Sequence, residues 1–269
     1  MHAADDSIVK SASRALRIVD YLANCPKPQT FTELQAALGI PKSSLSYLLQ
    51  ELQQGSYVEF DQETKSYFAG TKLIQLGAAC LNNTNTSREI WRAIKKLGDT
   101  LGETTQAALL DGRMAVYFAK HIGVRDLSIT DIGFRIPAHA TALGKVLLSS
   151  LNRTELEDRL AGVPLERYTE HTITDFGRLC VELEKAVRNG YAVDDQEIIP
   201  GAICVAAPVH TKASRSVAAI SVTFPAIRLK ETPIETIVDQ VKAAALNASA
   251  RLGHTSESRQ PVTGGNIHA

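Results

Sequence analysis

The stretch Gly39-Ile40-Pro41-Lys42-Ser43-Ser44-Leu45-Ser46-Tyr47-Leu48-Leu49-Gln50-Glu51-Leu52-Gln53-Gln54-Gly55 reads as a helix with two unlike sides. Leu45, Leu48, Leu49 and Leu52 recur at i, i+3, i+4 and i+7, which places them on one apolar stripe. The other side carries Lys42, Ser43, Ser46, Tyr47, Gln50 and Gln53. Pro41 reads as the first helical position, where a missing N–H is no loss, and Gly55 as the stop. Upstream, Gly39 suits the turn and Ile40 the corner it makes. Thr32 followed by Gln35 reads as a capping box opening a short helix that buries Leu34, Ala37 and Leu38. A first helix buries Ala15, Ile18, Val19 and Leu22 before Pro26 and Pro28 end it. Downstream, Tyr57 to Phe60, a turn through Asp61 to Lys65, and Ser66 to Ala69 predict a hairpin.

A short helix, a glycine turn, a second helix with a polar N-terminal half and a hairpin wing form a geometry that lays a recognition helix in the major groove. Serine, lysine and glutamine there reach base edges or phosphates. The candidate DNA contacts are Thr32, Lys42, Ser43, Ser44, Ser46, Tyr47, Gln50 and Lys65. Electrostatics argues the other way. From Met1 to Asn82, Lys10, Arg14, Arg17, Lys27, Lys42, Lys65 and Lys72 face Asp5, Asp6, Asp20, Glu33, Glu51, Glu59, Asp61 and Glu63. With no basic footprint, affinity has to come from a few placed cations, helix N-termini aimed at phosphates and two modules acting together. The competing reading is a helical subdomain with an ordinary solvated face. The helix before the pair and the hairpin after it favour DNA.

The whole chain has 269 residues and a formal net charge of zero, so composition favours no polyanionic partner. No stretch approaches the roughly 18 to 20 apolar residues of a membrane span, and Asp5 and Asp6 stand where a signal peptide needs a basic start, so a cytoplasmic location is expected. Cys25, Cys80, Cys180 and Cys204 form no CxxC pair, and His121, His171 and His210 fit no ligand spacing, so no metal site and no cofactor are expected. The expected organisation is a winged helix-turn-helix over 8–70, a linker helix and loop over 71–86, a second domain over 87–252, and a disordered tail over 253–269. The loop falls on the polar run Asn82 to Ser87, and the tail is rich in Ser, Gly and Pro.

In the second domain, Ala202 to Val209 is a nearly continuous apolar run, the pattern of a buried strand. In Ser216 to Phe224 the two-residue alternation points Ala218, Ile220, Val222 and Phe224 one way, and Val217, Ala219, Ser221 and Thr223 the other. Two hydroxyls beside a strand holding Cys204 make a polar patch on an apolar sheet. Asp194 follows a short strand at Ala192-Val193. Thr141 reads as the cap of a helix starting near Ala142, whose free N–H groups suit a carboxylate. Blander readings exist for each: Cys204 as a packed small hydrophobe, the hydroxyls as cross-strand partners, Asp194 as a turn closer.

Several runs together resemble the IclR family of bacterial regulators, over about residues 8 to 252. They are Ser13-Arg14-Ala15-Leu16, Gly39 to Leu45 with Leu48, Leu49 and Leu52, and Tyr67-Phe68-Ala69-Gly70. Others are His139-Ala140-Thr141-Ala142-Leu143-Gly144-Lys145, Gly190 to Glu197, and Gly201 to Val209. The resemblance implies an α+β protein, a winged helix-turn-helix followed by a GAF- or profilin-like antiparallel sheet with flanking helices. It implies an effector pocket formed by the backbone at Ala142 and Leu143 with Asp194, Ala202, Cys204, Ser221 and Thr223, and Phe134, Ile136 and His139 as side walls. It further implies a non-enzymatic regulator that binds a double-stranded operator and a small organic acid, acting as a dimer or a pair of dimers. One position departs from the family: Tyr47 stands where an arginine usually precedes the leucine pair. Two other functions stay open at this point, a thiol enzyme or redox sensor using Cys204, and a winged helix that binds protein.

Overall fold

The computed structural model describes residues 9–82, 85–125, 127, 130–212 and 216–255, in two compact units, Met1–Asn83 and Thr84–Ala269. The first unit opens with helix α1 (Lys10–Asn24), whose Ile18 and Leu22 are buried. A two-residue strand β1 (Gln29–Thr30) leads directly into α2 (Phe31–Leu38). The capping box lies two residues earlier than the Thr32–Gln35 spacing suggests. Thr30 Oγ1 accepts the Glu33 N–H at 3.4 Å, and Glu33 Oε2 accepts the Thr30 N–H at 2.7 Å. The reason is tertiary: Gln29 and Thr30 pair with Tyr67 and Ser66 in the wing, so the chain leaves a sheet at Thr30 and must start its helix there. Thr32 is therefore inside the helix and exposed, and Ala37 is exposed rather than buried.

Gly39, at φ 62°, ends α2 in the left-handed region that a side chain rarely adopts, and this turns the chain toward α3 (Lys42–Gln54). Pro41 caps α3, its carbonyl accepting the Leu45 N–H at 2.9 Å. Strands β2 (Val58–Asp61) and β3 (Ser66–Ala69) form the hairpin, in the sheet order β1-β3-β2. The core of this unit is Ile18, Leu22, Leu34, Leu38, Ile40, Leu45, Leu49 and Val58. Helix α4 (Thr71–Asn82) follows. The polar run expected to be a loop is helical again from Asn85, because α5 (Asn85–Leu101) extends N-terminally beyond its first buried residue, Glu89.

In the second unit, strands β4 (Thr104–Asp111), β5 (Met114–His121) and β6 (Arg135–Pro137) precede a 3-10 turn at Ala138–Ala140. Helices α6 (Ala142–Leu148), α7 (Arg153–Leu160) and α8 (Phe176–Asn189) follow. Strands β7 (Ala192–Asp195), β8 (Ala202–His210) and β9 (Ser216–Pro225) lead to the last helix, α9 (Ile234–Arg251). The sheet order is β6-β5-β4-β9-β8-β7, with each neighbouring pair antiparallel. The fold is thus α+β. One face of β9 (Ala218, Ile220, Val222, Phe224) packs under α5 and α9 with Ile94, Leu97, Ile237 and Val241. On the other face, Ala219 meets Leu143 and Val146 of α6 and Ala186 of α8.

Gly144 fixes the height of α6 over that face. A Cβ there would lie 2.2 Å from the Ala138 carbonyl oxygen, so only glycine lets the helix rest on the preceding turn. At the C-terminus, Gly253 and His254 continue the end of α9 through N–H bonds to Ala250 and Ser249 carbonyls, and the His254 ring stacks on His210 at 5.0 Å. Of the tail expected over 253–269, residues 253–255 are described, and residues 256–269 lie outside the described residues.

Candidate functional site

On α3, burial separates the two sides as the leucine spacing requires. Leu45 and Leu49 are buried and Leu48 and Leu52 half-buried, while Lys42, Ser43, Ser46, Tyr47 and Gln50 are exposed, Tyr47 at 73 %. Ser44 does not belong to the exposed set. It is half-buried, and Arg14 Nη1 of α1 donates to its hydroxyl at 3.5 Å. Thr32 is exposed on α2. Lys65 is exposed at the wing turn with φ 52°, and its Nζ donates to Gln62 Oε1 at 3.4 Å. Asp61 shapes that turn by accepting the Glu63 N–H at 2.8 Å and the Thr64 hydroxyl at 2.8 Å, and the Thr64 hydroxyl bond holds its carboxyl below the usual range. The surface this leaves is polar, hydrogen-bond-rich and sparsely charged.

In the second unit a cavity of about 40 Å³ lies between the sheet and the start of α6. Asp194, Ala202, Cys204 and Thr223, all anticipated, line it. Pairing brings them together, since β7 sets Asp194 opposite Cys204 and β9 sets Thr223 opposite Cys204. Thr141 closes the α6 end, its hydroxyl accepting the Gly144 N–H at 2.9 Å. The Ala142 and Leu143 N–H groups in the same turn have no acceptor within the helix.

Five expected residues do not line it: Ala142 and Leu143 are buried at the start of α6, and Ser221, Phe134 and His139 sit elsewhere. Ser221 is buried between Gln106 and Ala206 and does not line the cavity. Phe134 is half-exposed. His139 is buried and does not line the cavity; its Nε2 donates to the Glu166 carbonyl at 3.0 Å. Ile136 does form a wall. Gln106, Tyr117, Leu127, Thr130, Ile198 and Ile199 were not anticipated. Gln106 alone carried a signal, a polar residue inside a strand pattern, and it donates to the Thr130 hydroxyl. Larger grooves run beside α9, one lined by Glu89, Arg92, Lys96, Gln240 and Arg251 among alanines, the other by Arg188, His210, Lys242 and His254.

The electrostatics of the cavity is dominated by burial. Asp194 is 4 % exposed, and burial pushes its carboxyl up to about 7 against the pull of the Glu197 N–H that it accepts at 2.7 Å. Burial first, and then Asp194, push the Cys204 thiol far above its ordinary value. Its sulfur contacts Thr223 Oγ1 at 3.2 Å. A thiol held neutral is the opposite of an activated nucleophile. Tyr117 is likewise pushed up by burial. Behind the cavity Lys145 and Glu197 form a buried ion pair, and Lys145 Nζ also donates to the Val193 carbonyl at 3.0 Å. Among the described residues no group of three or more His, Cys, Asp or Glu is arranged to hold a metal, and no helix is long and apolar enough to cross a membrane.

Comparison with known proteins places these two units. Residues 11–62 match the IclR helix-turn-helix domain, and residues 78–250 match the family described as bacterial transcriptional regulator IclR C-terminal. The chain is 32 % identical to the HTH-type transcriptional regulator XynR of Escherichia coli over 92 % of its length and 98 % of that protein's. It is 33 % identical to the regulator KdgR of the same organism, over 83 % of this chain and 85 % of that one. Among solved structures, the Thermotoga maritima IclR superposes with a TM-score of 0.71 at 28 % identity, over 91 % of this chain and 99 % of that one.

Proposed function

The chain belongs to the IclR family of bacterial transcriptional regulators, and from that premise we propose that it is a cytoplasmic regulator whose operator binding responds to a small organic acid. The observation that carries the reading is the division of α3, with its leucines in the core and Lys42, Ser43, Ser46, Tyr47 and Gln50 facing solvent. In this reading α3 enters the major groove and Lys65 on the wing meets the backbone. The reading unit spans about 8–70 and the sensing unit about 87–252, with α4 between them. The acid occupies the cavity, held by Thr141, Thr223, Cys204 and Asp194 of its lining and by the free N–H groups at the start of α6 on Ala142 and Leu143. Exposed Leu16, Ile74 and Leu76 supply a dimer contact. Two readers would then fall about one DNA turn apart, roughly 34 Å or a multiple. The acid shifts that placement only as far as it binds one arrangement better than the other.

The test is footprinting of the DNA upstream of the protein's own gene, with and without a panel of small carboxylic acids. A protected palindrome whose affinity changes with one of the acids is the expected outcome. The absence of any protected site at low salt refutes the regulator reading for that operator position, and protection that no acid alters refutes the sensing half.

A further inference from the structure

The inference rests on the acid-sensing reading above and concerns how an anion enters a cavity that already holds a carboxyl group. We propose that the cavity binds a monocarboxylic acid together with one proton, and that Asp194 carries that proton and selects acids of single charge.

The argument begins with the charges available. Among the described residues that line the cavity none is basic. The cation behind it, Lys145 on α6, is 3 % exposed and already engaged by Glu197 and by the Val193 carbonyl. That pair is neutral as a unit before any ligand arrives. The other titratable groups around Asp194 are Cys204 on β8 and Tyr117 on β5, both held neutral by burial. An ionised Asp194 therefore gives the cavity an unmatched negative charge, and a carboxylate ligand adds a second. Two like charges sharing a site with little water cannot both persist, and one is neutralised by a proton. Asp194 itself is 4 % exposed, so solvent screening offers its charge little relief.

The balance is simple. Asp194 carboxylate, ligand carboxylate and one proton from solvent give Asp194 carboxylic acid donating an O–H···O bond to the ligand carboxylate. No other bond forms or breaks. The elevated proton affinity of Asp194 in the ligand-free protein points the same way. Specificity follows, since a dicarboxylate brings a second charge for which the cavity has neither a cation nor another carboxyl to hold a proton.

Acetate is the probe, being a small carboxylate of single charge. Its dissociation constant for the full chain is measured by calorimetry between about pH 5.5 and about pH 8.5, with chloride at matched ionic strength as control. Binding should be flat below about pH 7 and weaken tenfold per unit above it. Titrations in two buffers of different ionisation enthalpy should show about one proton taken up per acetate at about pH 8. Asp194→Asn should bind acetate without pH dependence. A flat profile with no proton uptake by the unsubstituted protein overturns the inference and leaves the acid-sensing reading standing. A full wild-type slope in Asp194→Asn assigns the proton elsewhere and also overturns it. Acetate failing to bind at any pH overturns this inference and leaves the acid-sensing reading to the panel of acids. The buffer comparison needs no substitution, so the inference stays testable if the variant fails to fold.

Discussion

Replacing Lys145 with methionine tests whether the ion pair behind the cavity holds α6 to the β7–β8 connection. The side chains of Lys145 and Glu197 are 3 % and 7 % exposed, so removing the ammonium leaves a buried carboxylate with no partner of opposite charge, and Val193 loses a donor. Breaking a buried pair of this kind costs about 3–5 kcal/mol. The cost depends on pH, because Glu197 can escape by taking a proton. Its carboxyl is already raised by burial, and Lys145 is the main influence holding it down. Without Lys145 the folded state binds that proton more tightly than the unfolded chain does. The variant is therefore most stable at low pH and loses stability as pH rises toward the new folded value, at about 1.4 kcal/mol per unit for one proton. Lowering the pH from about 8 to about 6 should recover up to about 2.7 kcal/mol. Adding Glu197→Gln to Lys145→Met should recover a similar amount at high pH, because it removes the stranded charge. The assay is denaturant unfolding followed by tryptophan fluorescence, since the single tryptophan, Trp91, lies on α5 of the same unit. A cost below about 1 kcal/mol, or the same cost at both pH values with no rescue by the second substitution, would refute the view that this pair clamps the site.

Four further outcomes are expected. Asp194 binds its proton more tightly folded, at about 7, than unfolded, at about 3.9, so its contribution is complete at low pH and is lost as pH rises from about 4 to about 7. The stability of wild type minus that of Asp194→Asn should accordingly fall by a few kcal/mol across that window, on the order of 4, and parallel curves would contradict it. Gly144→Ala should cost about 3 kcal/mol through the collision with Ala138, while Gly77→Ala on α4, where a Cβ meets nothing within 4 Å, should be neutral or stabilising in thermal melts. Thr30→Ala should destabilise the first unit by about 1 kcal/mol and Thr32→Ala by less than about 0.5, measured by circular dichroism. Equal effects would misplace the cap. Lys42→Ala should weaken operator binding and reduce the slope of log affinity against log salt by about one, read by anisotropy titration at several salt concentrations.

Readings that depended on the direction of one side chain relative to its chain neighbours mostly match the structure, Ala37 on α2 excepted. The stripe of Leu45, Leu48, Leu49 and Leu52 meets the core of its unit, and the alternation along β9 sends Phe224 and Ala219 to opposite layers. Readings failed where a partner came from elsewhere. Thr32 has the right spacing for a cap, but the pairing of Gln29 and Thr30 with the wing starts the helix earlier. His139 and Phe134 stand close to Thr141 along the chain, yet one turns to the Glu166 carbonyl and the other to solvent. Ser44 looked like its neighbours on α3 until Arg14 of α1 approached it.

The line of residues that shows a helix or strand its two faces is therefore written in the chain, because rotation per residue is a local property of the backbone. From it came the winged helix-turn-helix, the buried strands and the candidate hydroxyls. That Asp194, Cys204 and Thr223 share one cavity, and that Lys145 is spent on Glu197 rather than offered to a ligand, came from strand pairing and helix packing between distant segments. Residue spacing carries no record of such meetings. The charge state of the site, which depends on what each buried group faces, was accordingly beyond the reach of any local pattern.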